Sequence, residues 1–541
     1  MNHQSPAANP IAKDETTGIA RATGWLALGN ISSRLLGLAR EMLLANLFGA
    51  TPLAEALRVA IVIPRTLYDL FIGGNLNSAI IPVFSAVEAK EGRASLWQLI
   101  SLLLTLVGLL LATVVLVLVW WAQPIIQFVA PNTAAATAEM PAQLLRITAP
   151  GLWCFGAFAI LNGALLAIRS FRWPAFAVTL FNGTIVLILV AIGLSQQLNA
   201  GERIRGAALA WFLATLVMLL SQWVGLRQVG WRLRLPRWHP QLRQILRLAL
   251  PVLVTLLLDV LVTRLFTYRL ANQSGPGSIN YLELGTTLIQ FPQGLVAAAI
   301  SLAILPTMAR HASQAETDRQ ASSAFRETLN HGLRLATVLI LPAAALLFLL
   351  APAVVALLFQ HGAFLSSDSQ RTAEVLRYYL PGLPFAAIDL ILIYAFYARQ
   401  DTRSPAIIGA ICLLFYMAVA TALHPSLGLL SLMVADSIKH ILHATLSAWL
   451  LQRKTQALSH SRWWDALWRS ALATLFIAIV TAFLYAWLRD TLGGGRISST
   501  LSLTASGILA IFLYLQLLRR LGVSELHDFL RHLLVGEPKA P

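Results

Sequence analysis

The chain has 541 residues, of which 57% are apolar and only 12% are Asp, Glu, Lys or Arg, about half the ~25% charged share of a soluble domain. With a mean hydropathy of +0.70, this composition excludes a disordered chain and a water-soluble enzyme, because too few charged side chains exist to cover a soluble surface of this size. Lysine and arginine outnumber aspartate and glutamate by 40 to 24, a net charge of +16; in so apolar a chain that excess serves membrane topology rather than nucleic acid.

Residues 1–17 are polar and lack the short apolar core and cleavage site of a secretory signal. The first apolar run is therefore expected to stay as a membrane helix. A bilayer core of ~30 Å needs ~20 apolar residues at 1.5 Å each. On that rule about fourteen spans are predicted, at 20–47, 54–85, 96–122, 142–168, 174–196, 205–226, 244–271, 279–309, 333–359, 373–398, 404–423, 426–451, 465–488 and 498–518. They must be helices, because lipid offers no partner to an unpaired backbone group. The predicted fold is an all-α polytopic membrane protein. Its parts are a tail at 1–19, an N-lobe of six helices at 20–226, a basic linker at 227–243, a C-lobe of six helices at 244–451, two further helices within 465–518 and a tail at 519–541.

Alternate connections differ sharply in charge. One set carries 25 Lys and Arg, six of them between Arg227 and Arg247; the other set carries 5. Cytoplasmic loops are the basic ones, so both termini are expected in the cytoplasm.

The sequence repeats itself. Leu145-Arg146-Ile147-Thr148-Ala149-Pro150-Gly151-Leu152 returns as Leu376-Arg377-Tyr378-Tyr379-Leu380-Pro381-Gly382-Leu383, 231 residues later. Arg172-Trp173-Pro174-Ala175 matches Arg403-Ser404-Pro405-Ala406 at the same offset, and Ala79-Ile80-Ile81-Pro82 matches Ala303-Ile304-Leu305-Pro306 at 224. Six helices separate equivalents, so the two lobes are expected to be pseudo-symmetric copies, a transporter signature.

Ionisable side chains at bilayer depth are costly, at ~2.5–3.5 kcal/mol even on the lenient insertion scale, and mark cavities or partners. The first two spans are rich in them: Arg34, Arg40 and Glu41, then Glu55, Arg58, Arg65 and Asp69. Arg58 and Arg65 lie two turns apart and share a helix face. Arg34 and Arg40, six apart, diverge by about 120° around the helix. Local pairing is one reading, Glu55 with Arg58 and Arg65 with Asp69. The sharper reading is a cationic, water-filled cavity, because guanidinium groups grip phosphate in bidentate fashion. Later spans hold Asp259, Arg264, Asp389 and the run Asp436, Lys439, His440, a structural pairing by its spacing. Asp259 or Asp389 is a candidate site for a coupling cation.

No enzyme chemistry emerges. There is no phosphate-binding loop, the eleven histidines are scattered, and Cys154 and Cys412 sit in apolar runs as small hydrophobes.

Specific stretches resemble the MurJ/MviN family of lipid II flippases. Ser33-Arg34-Leu35-Leu36-Gly37-Leu38-Ala39-Arg40-Glu41 and Leu47-Phe48-Gly49-Ala50 resemble its first helix. Phe291-Pro292-Gln293-Gly294, Leu358-Phe359-Gln360-His361-Gly362-Ala363-Phe364 and Tyr397-Ala398-Arg399-Gln400-Asp401-Thr402 resemble later segments, as does Pro174-Ala175-Phe176-Ala177 through Asn182. The resemblance implies two lobes around a central cavity. It implies movement of lipid-linked disaccharide-pentapeptide across the inner membrane by alternating access, for cell-wall synthesis. Helices 13 and 14 would form a groove for the polyprenyl tail. Membrane potential or a Na+ gradient is the implied drive, and a monomer among membrane lipids the expected state, with no nucleic acid. A family arginine pair falls on Arg34 and Arg40, and a family acid on Glu55. Three positions depart: the tandem basic residues of helix two are replaced around Tyr68, with Arg65 one turn earlier; a Glu-Gly becomes Gly73-Gly74; and an arginine of helix eight becomes Thr287, with Arg264 the nearest substitute. Export of another polyprenyl-diphosphate glycan is the alternative. A cation-coupled drug exporter would favour acids and aromatics, and a non-transporting scaffold has no use for arginines at bilayer depth.

Overall fold

The computed structural model describes residues 10–72, 75–132, 139–232, 234–247, 262–314, 319–458, 463–493 and 495–523, with side chains left aside at 10–23, 67–72, 75–79, 295, 298, 299, 302, 303, 306 and 319. The chain divides into two compact units, Met1–Pro276 and Gly277–Pro541.

The first unit contains α1 (Pro10–Phe48), α2 (Pro52–Ile72), α3 (Asn75–Glu91), α4 (Arg93–Trp120), α5 (Ala122–Val129), α6 (Met140–Thr148), α7 (Pro150–Ala167), α8 (Arg172–Leu194), α9 (Ala200–Gln228), α10 (241–247) and α11 (Val262–Gln273). Helix α7 is the central post, wrapped by α2, α3, α4 and α9, while α1 runs along α8. Phe155, Phe181 and Trp211 from α7, α8 and α9 meet at ring centroids 5.3–6.0 Å apart. Helix α11 packs on α2 and α5. Arg269 lies 5.1 Å from the Phe128 ring, and Asn272 accepts the Asn132 backbone N–H at 2.8 Å. This helix therefore belongs to the compact first unit.

The second unit contains α12 (Ser278–Pro292), a π-turn (Gln293–Ala297), α13 (Ala298–Gln314), α14 (Arg319–Phe359), α15 (Ser366–Tyr379), a 3-10 turn (Leu380–Gly382), α16 (Leu383–Ala398), α17 (Arg403–Leu427), α18 (Leu430–Thr455), α19 (Trp463–Leu492) and α20 (Arg496–Arg520). Pro292 lacks the N–H that continues an α-helix, and the π-turn begins at the next residue. Helices α13, α14 and α16 enclose a core of Phe325, Leu329, Leu333, Ile391 and Phe396. Helices α19 and α20 dock on α14, where Tyr514 donates to the Val338 carbonyl at 2.7 Å and Trp463 to Thr337 at 2.9 Å.

Among the described residues the elements are helices and turns, and nine helices are long and apolar enough to cross a membrane. Helix α4, 28 residues long, extends ~42 Å, more than a bilayer core. Outward leucines and phenylalanines such as Leu109, Leu187 and Phe483 are 65–74% exposed, a surface that suits lipid and not water. Several predicted spans are two helices each. The run 54–85 contains parts of α2 and α3, and 142–168 contains α6 and α7, which meet at Ala149-Pro150.

The repeat is structural. Ala149-Pro150 separates α6 from α7, and Leu380-Pro381-Gly382 separates α15 from α16. Arg172 and Arg403 each open the next helix. The turns between share their backbone geometry: Arg169 and Gln400, 231 apart, have φ of 59° and 58°. The next residues, Ser170 and Asp401, both donate back to the residue five earlier, Leu165 at 2.8 Å and Phe396 at 3.0 Å. Such left-handed closure satisfies the last carbonyls of a helix.

Candidate functional site

The first unit holds a cavity of about 220 Å³ whose polar lining is Arg40, Glu41, Arg58, Arg65, Asn182 and Tyr268. Five helices build it. Helix α1 contributes Arg40 and Glu41, and α2 contributes Arg58 and Arg65 from one face, as their seven-residue spacing predicts. Leu57, Ile61, Val62, Phe181, Ile185 and Trp211 form the apolar wall. Tyr268 reaches in from α11 and is itself 2% exposed.

Glu41 is the keystone. It is 2% exposed and carries a cation on each oxygen: Arg40 at 2.8 Å on Oε1 and Arg58 at 2.9 Å on Oε2. Arg40 also donates to Asn182 Oδ1 at 2.9 Å, while Asn182 Nδ2 donates to the Ser33 carbonyl at 3.0 Å. Asn182 thus ties α8 to α1 and aims the Arg40 fork. Opposite Asn182 on α1 is Gly37, where an added Cβ would stand 3.5 Å from the amide nitrogen; the small residue admits this close crossing. Among the described residues the lining carries three guanidinium groups and one carboxylate. A described lining with more guanidinium groups than carboxylates suits an anion. The volume is below the ~300 Å³ at which pockets begin to enclose drug-sized ligands, so it can enclose a small anionic group rather than a whole glycan.

The other predicted site residues are distributed as follows. Arg34 is half-buried on α1, bonds Asn30 on its own helix at 3.2 Å and does not line this cavity. The 120° divergence from Arg40 is the physical reason. Arg264 lies on α11 one turn before Tyr268, on the same face. Glu55, 9% exposed, lines a second cavity of about 190 Å³ with Asn132, Asn272 and Gln273. The side chains of Tyr68 and Asp69, the pair Gly73-Gly74 and the whole of Asp259 lie outside the described residues. Thr287 donates to the Glu283 carbonyl on its own helix at 2.9 Å.

In the second unit Asp389 of α16 is 6% exposed. It meets His443 Nδ1 of α18 at 2.5 Å and accepts from Ser447 at 3.4 Å. Asp436 holds Lys439 at 2.5 Å and His440 at 3.6 Å, the structural pairing its spacing predicts. Sequence reasoning passed over Asn182, Tyr268 and His443 as site residues and saw Glu41 only as one polar residue among several.

The family description "Lipid II flippase MurJ" matches residues 44–501. The chain belongs to the MurJ family. It is 30% identical to a probable lipid II flippase MurJ of Vibrio cholerae over 91% of this chain and 94% of that one. It is 31% identical to the probable lipid II flippase MurJ of Haemophilus influenzae over 78% and 83%, and 28% identical to the lipid II flippase MurJ of Burkholderia cenocepacia over 69% and 72%. Among solved structures, a lipid II flippase MurJ in an inward closed conformation aligns with TM-score 0.75 and 21% identity, covering 92% of this chain and 99% of that one. An inward-facing multidrug resistance MATE transporter aligns at TM-score 0.63 and 16% identity over 79% and 95%. At those identities the two structures speak to the fold. The MurJ family is one of transporters, and this member is a multi-pass membrane protein.

Proposed function

We propose that this chain is a lipid II flippase of the bacterial inner membrane, carrying the lipid-linked peptidoglycan precursor from the inner to the outer leaflet. The observation that carries the reading is the cavity lined by Arg40, Arg58 and Arg65, in which Glu41 bridges Arg40 and Arg58. Guanidinium forks match diphosphate oxygens bidentately, and the guanidinium-rich lining compensates an anion brought out of water. The diphosphate enters between the arginines of α1 and α2. It exchanges part of the Glu41 pairing for its own, and leaves when the cavity opens to the other leaflet. The disaccharide-pentapeptide thereby avoids crossing hydrocarbon. Glu41 keeps the empty site neutral enough to persist at bilayer depth.

The architecture assigned to this reading has fourteen spans with both termini cytoplasmic. Lobes at 20–226 and 244–451 are joined by the basic linker 227–243, and helices within 465–518 accept the polyprenyl tail. The protein works as a monomer and performs no covalent chemistry. Membrane potential supplies the drive. Asp389, whose Oδ1 faces His443 and Ser447, is the place where a sodium ion would bind in the alternative drive.

Complementation of a flippase-depleted bacterium is the test. The wild type is expected to restore growth, and Arg40→Ala with Arg58→Ala to fail at equal expression. Growth restored by that double variant would overturn the reading. Vesicles loaded with defined lipid-linked substrates then separate lipid II from other polyprenyl-diphosphate glycans by headgroup accessibility.

A further inference from the structure

The connection after α9 is built as a surface. Helix α9 ends at Gln228, the φ of 84° at Gly230 turns the chain, and Trp231 donates back to the Leu226 carbonyl at 3.0 Å. Residues 231–232 and 234–239 are non-helical, and α10 follows. Two anchors hold this strap against α4 and the end of α3: Arg234 donates its backbone N–H to Ser101 at 3.1 Å, and His239 Nε2 meets Ser95 at 2.9 Å and Glu91 at 3.4 Å. His239 is 4% exposed, and Leu242 and Ile245 of α10 are buried at 2% and 3%. The strap is therefore fixed from beneath at both of its parts.

What it turns outward is basic and apolar together. Between Arg227 and Arg247 there are six arginines and no acid. Arg234, Arg237, Arg243 and Arg247 are exposed, and among them Leu235 is 81% and Trp238 74% exposed. The anchors Ser95 and Ser101 lie within the first nine residues of α4, ~13 Å of helix rise. The strap therefore sits at the end of a span, at the depth where hydrocarbon gives way to headgroups. A leucine and a tryptophan spaced singly among arginines fit that depth: the rings and methyl groups enter the acyl boundary while the guanidinium groups meet phosphates. Anionic headgroups concentrate such basic segments.

We propose that residues 234–247 form a binding surface for anionic phospholipid, fixed by His239 and read out by Trp238. It is separate from the cavity of the first unit and does not depend on what that cavity carries.

The test uses the full chain reconstituted with phosphatidylcholine and phosphatidylglycerol, one of them brominated high on its acyl chains, in two arms. The difference between the wild type and Trp238→Phe isolates the fluorescence of Trp238. At least twofold stronger quenching is expected when bromine is on phosphatidylglycerol than on phosphatidylcholine at equal mole fraction. Changing Arg234, Arg237, Arg243 and Arg247 to Gln is expected to abolish that preference, and changing them to Lys to preserve it. Equal quenching by the two lipids in the wild type would overturn the proposal. So would absence of quenching in both arms, which would turn the surface toward water and a soluble partner. Neither readout requires transport.

Discussion

The two units handle buried charge in opposite ways. In the first, Arg40 and Arg58 both bond Glu41, and Arg65 lines the same cavity. In the second, the buried Asp389 pairs with His443, and the half-buried Asp436 with Lys439 and His440. Burial is similar, with Glu41 at 2% and Asp389 at 6%. Stoichiometry separates them. A pair of one acid and one base has little to offer a ligand, whereas a cavity whose described lining is mostly guanidinium is suited to attract an anion. The repeat explains how such a contrast arises: the Pro-Gly breaks and left-handed turns are shared, while side chains facing inward diverged.

The sharpest way to break this comparison is Glu41→Gln. It leaves two guanidinium groups at bilayer depth without their carboxylate, and removing one partner of a buried pair costs ~3–5 kcal/mol. Thermal unfolding of the purified protein should fall accordingly, with Glu41→Asp intermediate. Unchanged stability would remove the keystone role.

Next in size is the loss of transport in Arg58→Ala. Charge-assisted hydrogen bonds contribute ~1.5–3 kcal/mol, which corresponds to a loss on the order of 10- to 100-fold in rate. Arg58→Lys keeps the charge and loses the fork, so it should fall between. Arg34→Ala, outside the cavity, should cost less than Arg40→Ala in the same vesicle assay. The reverse order would move the anion site toward Arg34.

Much of this was legible in the sequence, and the limits have a physical origin. Spans follow from apolar run length, and the repeat from Pro-Gly landmarks, because both are local properties of the chain. The face shared by Arg58 and Arg65, and the divergence of Arg34 from Arg40, follow from helix periodicity alone. Cross-helix partnerships do not. Glu41 lies 17 residues before Arg58, and His443 lies 54 beyond Asp389. No intrahelical spacing rule reaches that far, so local acids such as Glu55 were the natural partners to name. Asn182 was visible only as part of a resembling segment, and its task of aiming Arg40 requires the α1–α8 crossing.

A smaller effect is expected in the second unit. Asp389→Asn keeps the shape and loses the charge facing His443, at a cost of ~1–3 kcal/mol, with the cavity of the first unit untouched. Stability should drop while headgroup transport at fixed membrane potential persists. Transport that depends on sodium in the wild type and loses that dependence in Asp389→Asn would place the coupling in the second unit instead.

The smallest effect concerns Asp401, in the turn between α16 and α17. Burial alone would raise its carboxyl, but hydrogen bonds from Lys454 and Ser404 outweigh it and hold the group at about 2, below its ordinary 3.8. Lys454 Nζ lies 2.6 Å from Oδ2, and the Ser404 backbone N–H donates to Oδ1 at 3.0 Å. A depressed carboxyl stabilises the folded state above its unfolded value, and that contribution disappears as pH falls from about 3.8 toward 2. At neutral pH it is fully present and flat. The pair is partly open to solvent, so its worth is that of a surface bridge with a capping bond, ~0.5–1 kcal/mol. Asp401→Asn should lower the unfolding temperature slightly at pH 7, and the gap to the wild type should close only in strong acid. A gap that closes near neutrality would show that the Asp401 charge is not what holds this turn.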